Sequence, residues 1–202
     1  MVKIALFGGT GGCGSAFLEY ALAAKHSIVL QARTPSKVTT TDANLTVIQG
    51  DGTSAEDVLK ACEGCDIVVS CAGSSRIMES LAKNIVDACK AHNIERCYFI
   101  TSLGMGGSSP TVRFVLGCIV SFGNIEDCDK ADKLILEAGF TAIRPTELTD
   151  KGEAAGKYLA TSDTGMGFGA LHKKDVGLFI CDEITKNEWG GKPVQLLSLI
   201  HI

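Results

Sequence analysis

At 202 residues, 46% apolar and 6% aromatic, the chain is long enough to bury a substantial core and reads as one soluble domain with at most a small C-terminal elaboration. A net charge of −4, with no basic cluster, excludes an electrostatic footprint for nucleic acid. Nine cysteines are an odd count in a chain too long for a disulfide scaffold, so they read as reduced, buried thiols. Such thiols, and an opening that is a core strand without a signal peptide, lead us to expect a cytoplasmic protein.

The first predicted strand, Val2–Phe7, runs into Phe7-Gly8-Gly9-Thr10-Gly11-Gly12-Cys13-Gly14 and then into a predicted helix, Cys13–Lys25. A strand that ends in glycines and turns directly into a helix gathers unpaired N–H groups and the positive end of a helix dipole at one point. That point suits the pyrophosphate of a dinucleotide. In the GxxGxxG spacing, Gly8 permits the turn, Gly11 lets phosphate oxygens approach the backbone, and Gly14 lets the helix pack on the strand. Gly12 and Cys13 complete the cradle, and Thr10 adds a hydroxyl. The bland alternative is a glycine-rich turn without a ligand.

Further strands are predicted at Ile28–Ala32, Leu45–Gln49, Ile67–Cys71, Cys97–Thr101, Thr141–Ile143 and Val194–Ile200. Helices are predicted at Ser54–Ala61, Glu79–His92, Ile125–Ala138 and Asp175–Ile184. Continuous apolar runs such as Ile67-Val68-Val69 indicate strands buried on both faces, so the fold class is α/β, a doubly wound and mostly parallel sheet in a single domain. Leu103–Pro110 is an irregular stretch at a strand's carboxyl end, where such folds place ligands, and Thr146–Gly169 reads as a long surface excursion on the substrate side. Phe114–Phe122 is either a packing helix or an apolar lid, and is far shorter than the ~20 residues a membrane span needs. Cys62-Glu63-Gly64-Cys65 has CxxC spacing but follows a helix rather than starting one, and no second pair completes a zinc site, so no metal is expected.

The end of the second strand speaks to cofactor choice. An acid there would hold the ribose 2′-hydroxyl of NAD, whereas this chain has Arg33, with Lys37 four residues on. A guanidinium forks onto a 2′-phosphate and a lysine adds charge, so NADPH/NADP is expected, the alternative being a solvated basic pair. Asp51 and Gly52, after the third strand, are placed against the adenosine, or else form a surface turn. Cys71, Ala72 and Gly73 close the fourth strand with small residues, as a nucleotide lying across it requires. At the helix start, Cys13 is either a small packing residue or a thiol shifted toward thiolate by the dipole.

The strand-glycine-helix opening, Ala32-Arg33-Thr34-Pro35-Ser36-Lys37, Gly50-Asp51, the Cys97–Ser102 strand end and Ala138-Gly139-Phe140-Thr141-Ala142-Ile143-Arg144-Pro145 occur in an order and spacing that resembles the atypical short-chain dehydrogenase/reductase family. Within it the chain resembles small single-domain reductases of flavins and biliverdin-like pigments. The resemblance implies a Rossmann fold, with Thr101, Ser102, Pro145 and Thr146 beside the cofactor. Ser102 is the candidate polar contact at the reacting centre, and Arg76, Leu103 and His172 are candidates on the substrate side. His172, with Lys173 and Lys174, otherwise forms a solvated face.

Better-known family members use a Tyr-x-x-x-Lys pair, and none of Tyr20, Tyr98 and Tyr158 precedes a lysine at that spacing. Counting back from Gly139 puts Asn124 and Cys128 at those positions, with Lys130 nearby. This departure argues against alcohol–ketone chemistry and leaves hydride transfer to a planar conjugated acceptor, which collects its proton from water. An NADP(H)-sensing binding protein without turnover is the competing expectation. A nucleotide-sugar epimerase or dehydratase is disfavoured by the short stretch after Ile143. The expected partner is a small-molecule substrate, with no membrane and no nucleic acid, acting on a monomer or weak homodimer.

Overall fold

The continuous apolar runs become parallel strands because helices cover both of their faces. The computed structural model describes residues 1–73, 76–105, 122–152, 154, 156, 158–162 and 169–198. In chain order these are β1 (Lys3–Phe7), α1 (Gly12–Ala23), β2 (Ser27–Ala32), a 3-10 turn (Pro35–Lys37), β3 (Leu45–Gln49), α2 (Ala55–Ala61), β4 (Ile67–Ser70), α3 (Met78–His92) and β5 (Arg96–Ile100). There follow α4 (Phe122–Glu137), β6 (Thr141–Pro145), β7 (Leu148–Thr149), β8 (Tyr158–Thr161), β9 (Leu171–His172), α5 (Lys173–Lys186) and β10 (Pro193–Ser198).

The main sheet has the order β3-β2-β1-β4-β5-β6-β10-β8, parallel except for β8, which runs antiparallel to β10. A separate pair joins β7 and β9. Because β1 pairs with β2 on one side and β4 on the other, the strand order reverses there, and a crevice opens at the strands' carboxyl ends. Side chains alternate across the sheet. Ile4 and Leu6 join Phe17, Leu18, Val176, Phe179 and Ile180 beneath α1 and α5, while Ala5 and Phe7 join Val58, Leu81, Ile85 and Ile135 beneath α2, α3 and α4. Each fully buried large apolar side chain contributes about 1.5–3 kcal/mol.

Local chemistry sets the helix ends. Ser54 caps α2, its hydroxyl accepting from the Asp57 N–H at 3.3 Å. Asn93 and Asn187 take left-handed φ values of 56° and 50° at the ends of α3 and α5, and Gly139 does so at 79° after α4. Two expectations shift here. α5 begins at Lys173 rather than Asp175, because the His172 ring Nδ1 accepts from the Lys174 N–H at 3.1 Å and serves as the cap. The stretch Thr146–Gly169 is not wholly irregular: β7 and the edge strand β8 lie within it, each too short for its pattern to stand out. Residues 106–110 of the irregular Leu103–Pro110 stretch and 114–121 of the Phe114–Phe122 stretch lie outside the described residues. Among the described residues no helix is long and apolar enough to cross a membrane.

The cysteines found among the described residues are free, Cys62 and Cys65 among them. Burial pushes the Cys65 thiol up to about 11 and raises that of Cys62, which suppresses the thiolate chemistry their spacing suggests.

α1 and α5 cross at Gly177, where a Cβ would lie 2.6 Å from the Phe17 backbone nitrogen and 2.9 Å from the Ala16 carbonyl carbon. Backbone rather than a flexible side chain would have to move. Gly177→Ala is therefore expected to destabilise by about 1–3 kcal/mol in urea denaturation. An unchanged midpoint would mean that the two helices have room to spare.

Candidate functional site

The glycine turn is held by backbone proximity. Gly8 has φ +76°, and a Cβ on it would lie 2.5 Å from the Ala72 nitrogen, so the ends of β1 and β4 approach as only glycine allows. The Gly11 N–H donates to Gly8 O at 3.1 Å and closes the turn. A Cβ on Gly14 would overlap Gly8 O, which fixes α1 against the strand end. Gly11 is exposed, and a Cβ there would meet only Gly8 O at 3.4 Å. The first turn of α1 carries no side-chain cap and no acidic residue, so no capping side chain takes up its N–H groups. The turn at Gly8 and the helix packing at Gly14 are as expected of those two glycines.

Two cavities share Cys71 and Gly73 and form one elongated cleft over the strand ends. The first, of about 220 Å³, is lined by Gly8, Thr10, Gly11, Arg33, Asp51, Gly52 and Ala72, and also by Gln31, Ile77 and Leu81. Arg33 and Asp51 thus meet at one end. The Asp51 carboxyl is held below its ordinary range, first by the Thr53 N–H and hydroxyl that Oδ1 accepts at 2.8 Å each, with a lesser contribution from Arg33. Gly50-Asp51-Gly52 is therefore both a surface turn and a wall of the cleft. Lys37 is exposed on the 3-10 turn and does not line the cavity.

The second cavity, of about 270 Å³, is lined by Cys13, Thr101, Ser102, Leu103, Asn124 and Cys128, with Met78, Ile100, Met105, Ile125 and Leu148 supplying apolar surface. Asn124 and Cys128, the positions reached by counting back from Gly139, both line this cavity. Lys130 does not: it is half-exposed on the outer face of α4 and pairs with Glu79 at 3.4 Å and Glu126 at 3.3 Å. Burial pushes the Cys128 thiol up to about 12, with Asp132 adding to the effect. The thiolate reading of Cys13 is corrected in the same way. Its thiol rises to about 11 because burial outweighs the lowering effect of Lys173. Cys13 is a packing residue in the cleft wall.

Behind this cavity lies a buried network the sequence did not announce. Arg144 on β6 donates from Nε and Nη2 to Asp132 on α4, at 3.0 and 2.6 Å, and the Thr101 hydroxyl donates to Asp132 Oδ1 at 2.9 Å. Thr101 therefore anchors the strand end through its hydroxyl, while the neighbouring half-buried Ser102 lines the cavity. Pro145 and Thr146 sit at the end of β6, with Pro145 O accepting from the Leu103 N–H, but neither lines the described cavities. Two of the substrate-side candidates stand outside the linings of both cavities. His172 is engaged in capping α5, and Arg76, exposed with φ +64°, lies outside the lining of both cavities. A third cavity, of about 210 Å³ between Arg96 and Lys192, lies at the opposite end of the strands and away from the glycine turn.

The profile of the NAD(P)H-binding family matches residues 8–187, which is most of the chain. The chain belongs to the NAD(P)H-binding family. Solved structures agree on the fold. An anaerobilin reductase, ChuY, from Escherichia coli O157:H7 is 22% identical with a TM-score of 0.83, over 98% of this chain and 97% of that one. A short-chain dehydrogenase/reductase from Veillonella parvula, in complex with NADP, is 17% identical with a TM-score of 0.83, over 98% and 95%. A Rossmann-fold NAD(P)-binding family protein from Shigella flexneri is 22% identical with a TM-score of 0.80, over 98% and 94%. For a member of the NAD(P)H-binding family, the glycine turn and the cleft above it fit a dinucleotide in shape and in backbone donors.

The Asp132–Arg144 pair is almost wholly buried, so removing one partner strands a charge. Asp132→Ala is expected to cost about 3–5 kcal/mol in urea denaturation, and Asp132→Leu with Arg144→Met to recover much of it. A single-variant loss below about 1 kcal/mol would mean that water reaches the pair.

Proposed function

We propose that the chain is an NADPH-dependent reductase that delivers hydride to a planar conjugated acceptor: a flavin, a biliverdin-like pigment or a quinone. The observation that carries this reading is the make-up of the 270 Å³ cavity, which Asn124 and Cys128 line amid largely apolar walls and to which no tyrosine or lysine contributes among the described residues. With the Cys13 and Cys128 thiols at about 11 and about 12, neither gives up or takes up a proton near neutral pH. The nicotinamide, when bound, supplies the hydride.

The chain's own residues bind, orient and exclude water. The first-turn N–H groups of α1 hold the diphosphate, and Arg33 takes the 2′-phosphate beside Asp51. Ser102, at the end of β5, offers a polar contact to the reacting ring. Met78, Met105, Ile125 and Leu148 supply apolar lining against which a conjugated acceptor would pack, and its proton arrives from solvent. Leu148 brings the segment after residue 145 into the substrate side of a single domain. The structural likeness to an anaerobilin reductase supports a pigment-type acceptor, as does the sequence resemblance to small biliverdin-IXβ and flavin reductases. A cytoplasmic monomer or weak homodimer suits this reading.

Steady-state NADPH oxidation with FMN, biliverdin-type pigments and quinones tests it. Turnover is expected, with a rate that stays level from about pH 6 to pH 9 because no protein acid titrates there. Arg33→Ala is expected to weaken NADPH by about 1.5–3 kcal/mol and to leave NADH nearly unchanged. A bell-shaped profile centred near neutrality would contradict the missing acid, and equal losses for both nucleotides would contradict the 2′-phosphate contact. Tight NADP(H) binding without turnover on any acceptor would replace the reductase with an NADP(H)-sensing protein.

A further inference from the structure

We propose that Lys173 is a diphosphate-binding residue held in reserve by Asp150, which stands in for the diphosphate until a dinucleotide arrives. The inference rests on reading the cleft as the dinucleotide site but not on any turnover. Lys173 is the first residue of α5, and its stem lies across Gly12. A Cβ on Gly12 would overlap Lys173 Cδ, and Nζ would lie 3.4 Å away from it. The close crossing at Gly177, one turn further along α5, pins the two helices side by side and carries the ammonium to the first turn of α1.

A cation there is opposed by electrostatics. The positive end of α1 repels it, and Lys173 and Lys174 also crowd the positive end of their own helix, where only Asp175 is acidic. The arrangement becomes favourable when a polyvalent anion lies over Gly11–Cys13, because two helix ends and an ammonium then face the same charge. At present Lys173 Nζ donates to Asp150 Oδ2. The lysine side chain is 29% exposed and the aspartate 70%, so the acid is the partner free to swing into solvent. Both charges act on the Cys13 thiol, which places them at the start of α1.

Incoming diphosphate oxygens displace the Asp150 carboxylate and accept from Lys173 Nζ; no bond is made or broken, and the carboxylate returns to water. Asp150 is thus a built-in competitor that lowers affinity and sets a threshold for binding. Lys173 acts on NADPH and NADH alike, unlike Arg33, since both carry the diphosphate.

Isothermal titration of the full chain with NADPH, NADH and adenosine 2′-monophosphate separates these roles. Lys173→Met, which keeps the stem over Gly12, is expected to weaken both dinucleotides by roughly ten-fold or more while leaving adenosine 2′-monophosphate unchanged. Asp150→Asn is expected to tighten both dinucleotides several-fold. Wild-type affinities in Lys173→Met, with Lys173→Gln as a second variant, would overturn the proposal. So would an Asp150→Asn protein that loses affinity as Lys173→Met does, since the pair would then be a structural strut. A wild-type chain that bound neither dinucleotide would overturn the dinucleotide reading of the cleft along with it, whereas binding without turnover would leave Lys173 and Asp150 fully tested.

Discussion

Everything at the carboxyl edge of the sheet follows from one close approach, that of the Gly8 backbone to Ala72 on one side and to Gly14 on the other. It brings the ends of β1 and β4 together at the point where strand order reverses, and it sets the first turn of α1 directly above them. A side chain at Gly8 or Gly14 would wedge the helix away from the strand, and the backbone donors would no longer converge. The exposed Gly11 shows that the turn leaves its outer side open while its inner side is packed without a gap.

Positive groups and apolar surface divide the cleft between them. One end has Arg33 beside Asp51, and the middle has the glycine turn of Gly8, Thr10 and Gly11. The far end has apolar walls and thiols that burial keeps protonated. Such a gradient is what the proposed reductase needs: charge for a dinucleotide at one end and a neutral face at the other. The Arg144–Asp132–Thr101 network contributes from behind by tying β5, β6 and α4 together, so that the wall carrying Asn124 and Cys128 has a fixed position relative to Ser102.

Much of this was legible in the sequence because it rests on local patterns. Continuous apolar runs such as Ile67–Ser70 gave the central strands, and glycine spacing gave the turn with its division of labour. Arg33 and Asp51 follow strands directly, so their place at the cleft could be read from order alone. What failed was what depends on distance between elements. The dipole at the start of α1 suggested a reactive Cys13, but the burial that decides its ionisation comes from packing around the cleft. The cap that the His172 ring makes on α5 likewise appears only in the fold. Asp132 and Arg144 are ordinary surface-type residues in sequence, and only the packing of α4 on the end of β6 brings them together. β8 is four residues long and pairs with a strand more than thirty positions away, a separation that short-range periodicity does not register.

A crystal structure of the chain with NADPH is the most direct test. Diphosphate oxygens are expected within hydrogen-bond reach of the amides at Gly12 and Cys13, with the 2′-phosphate at Arg33 and the nicotinamide in the cavity beside Ser102. A nucleotide seated instead between Arg96 and Lys192, or a crystal grown at saturating NADPH whose cleft held only solvent, would contradict the site on which every functional conclusion here depends.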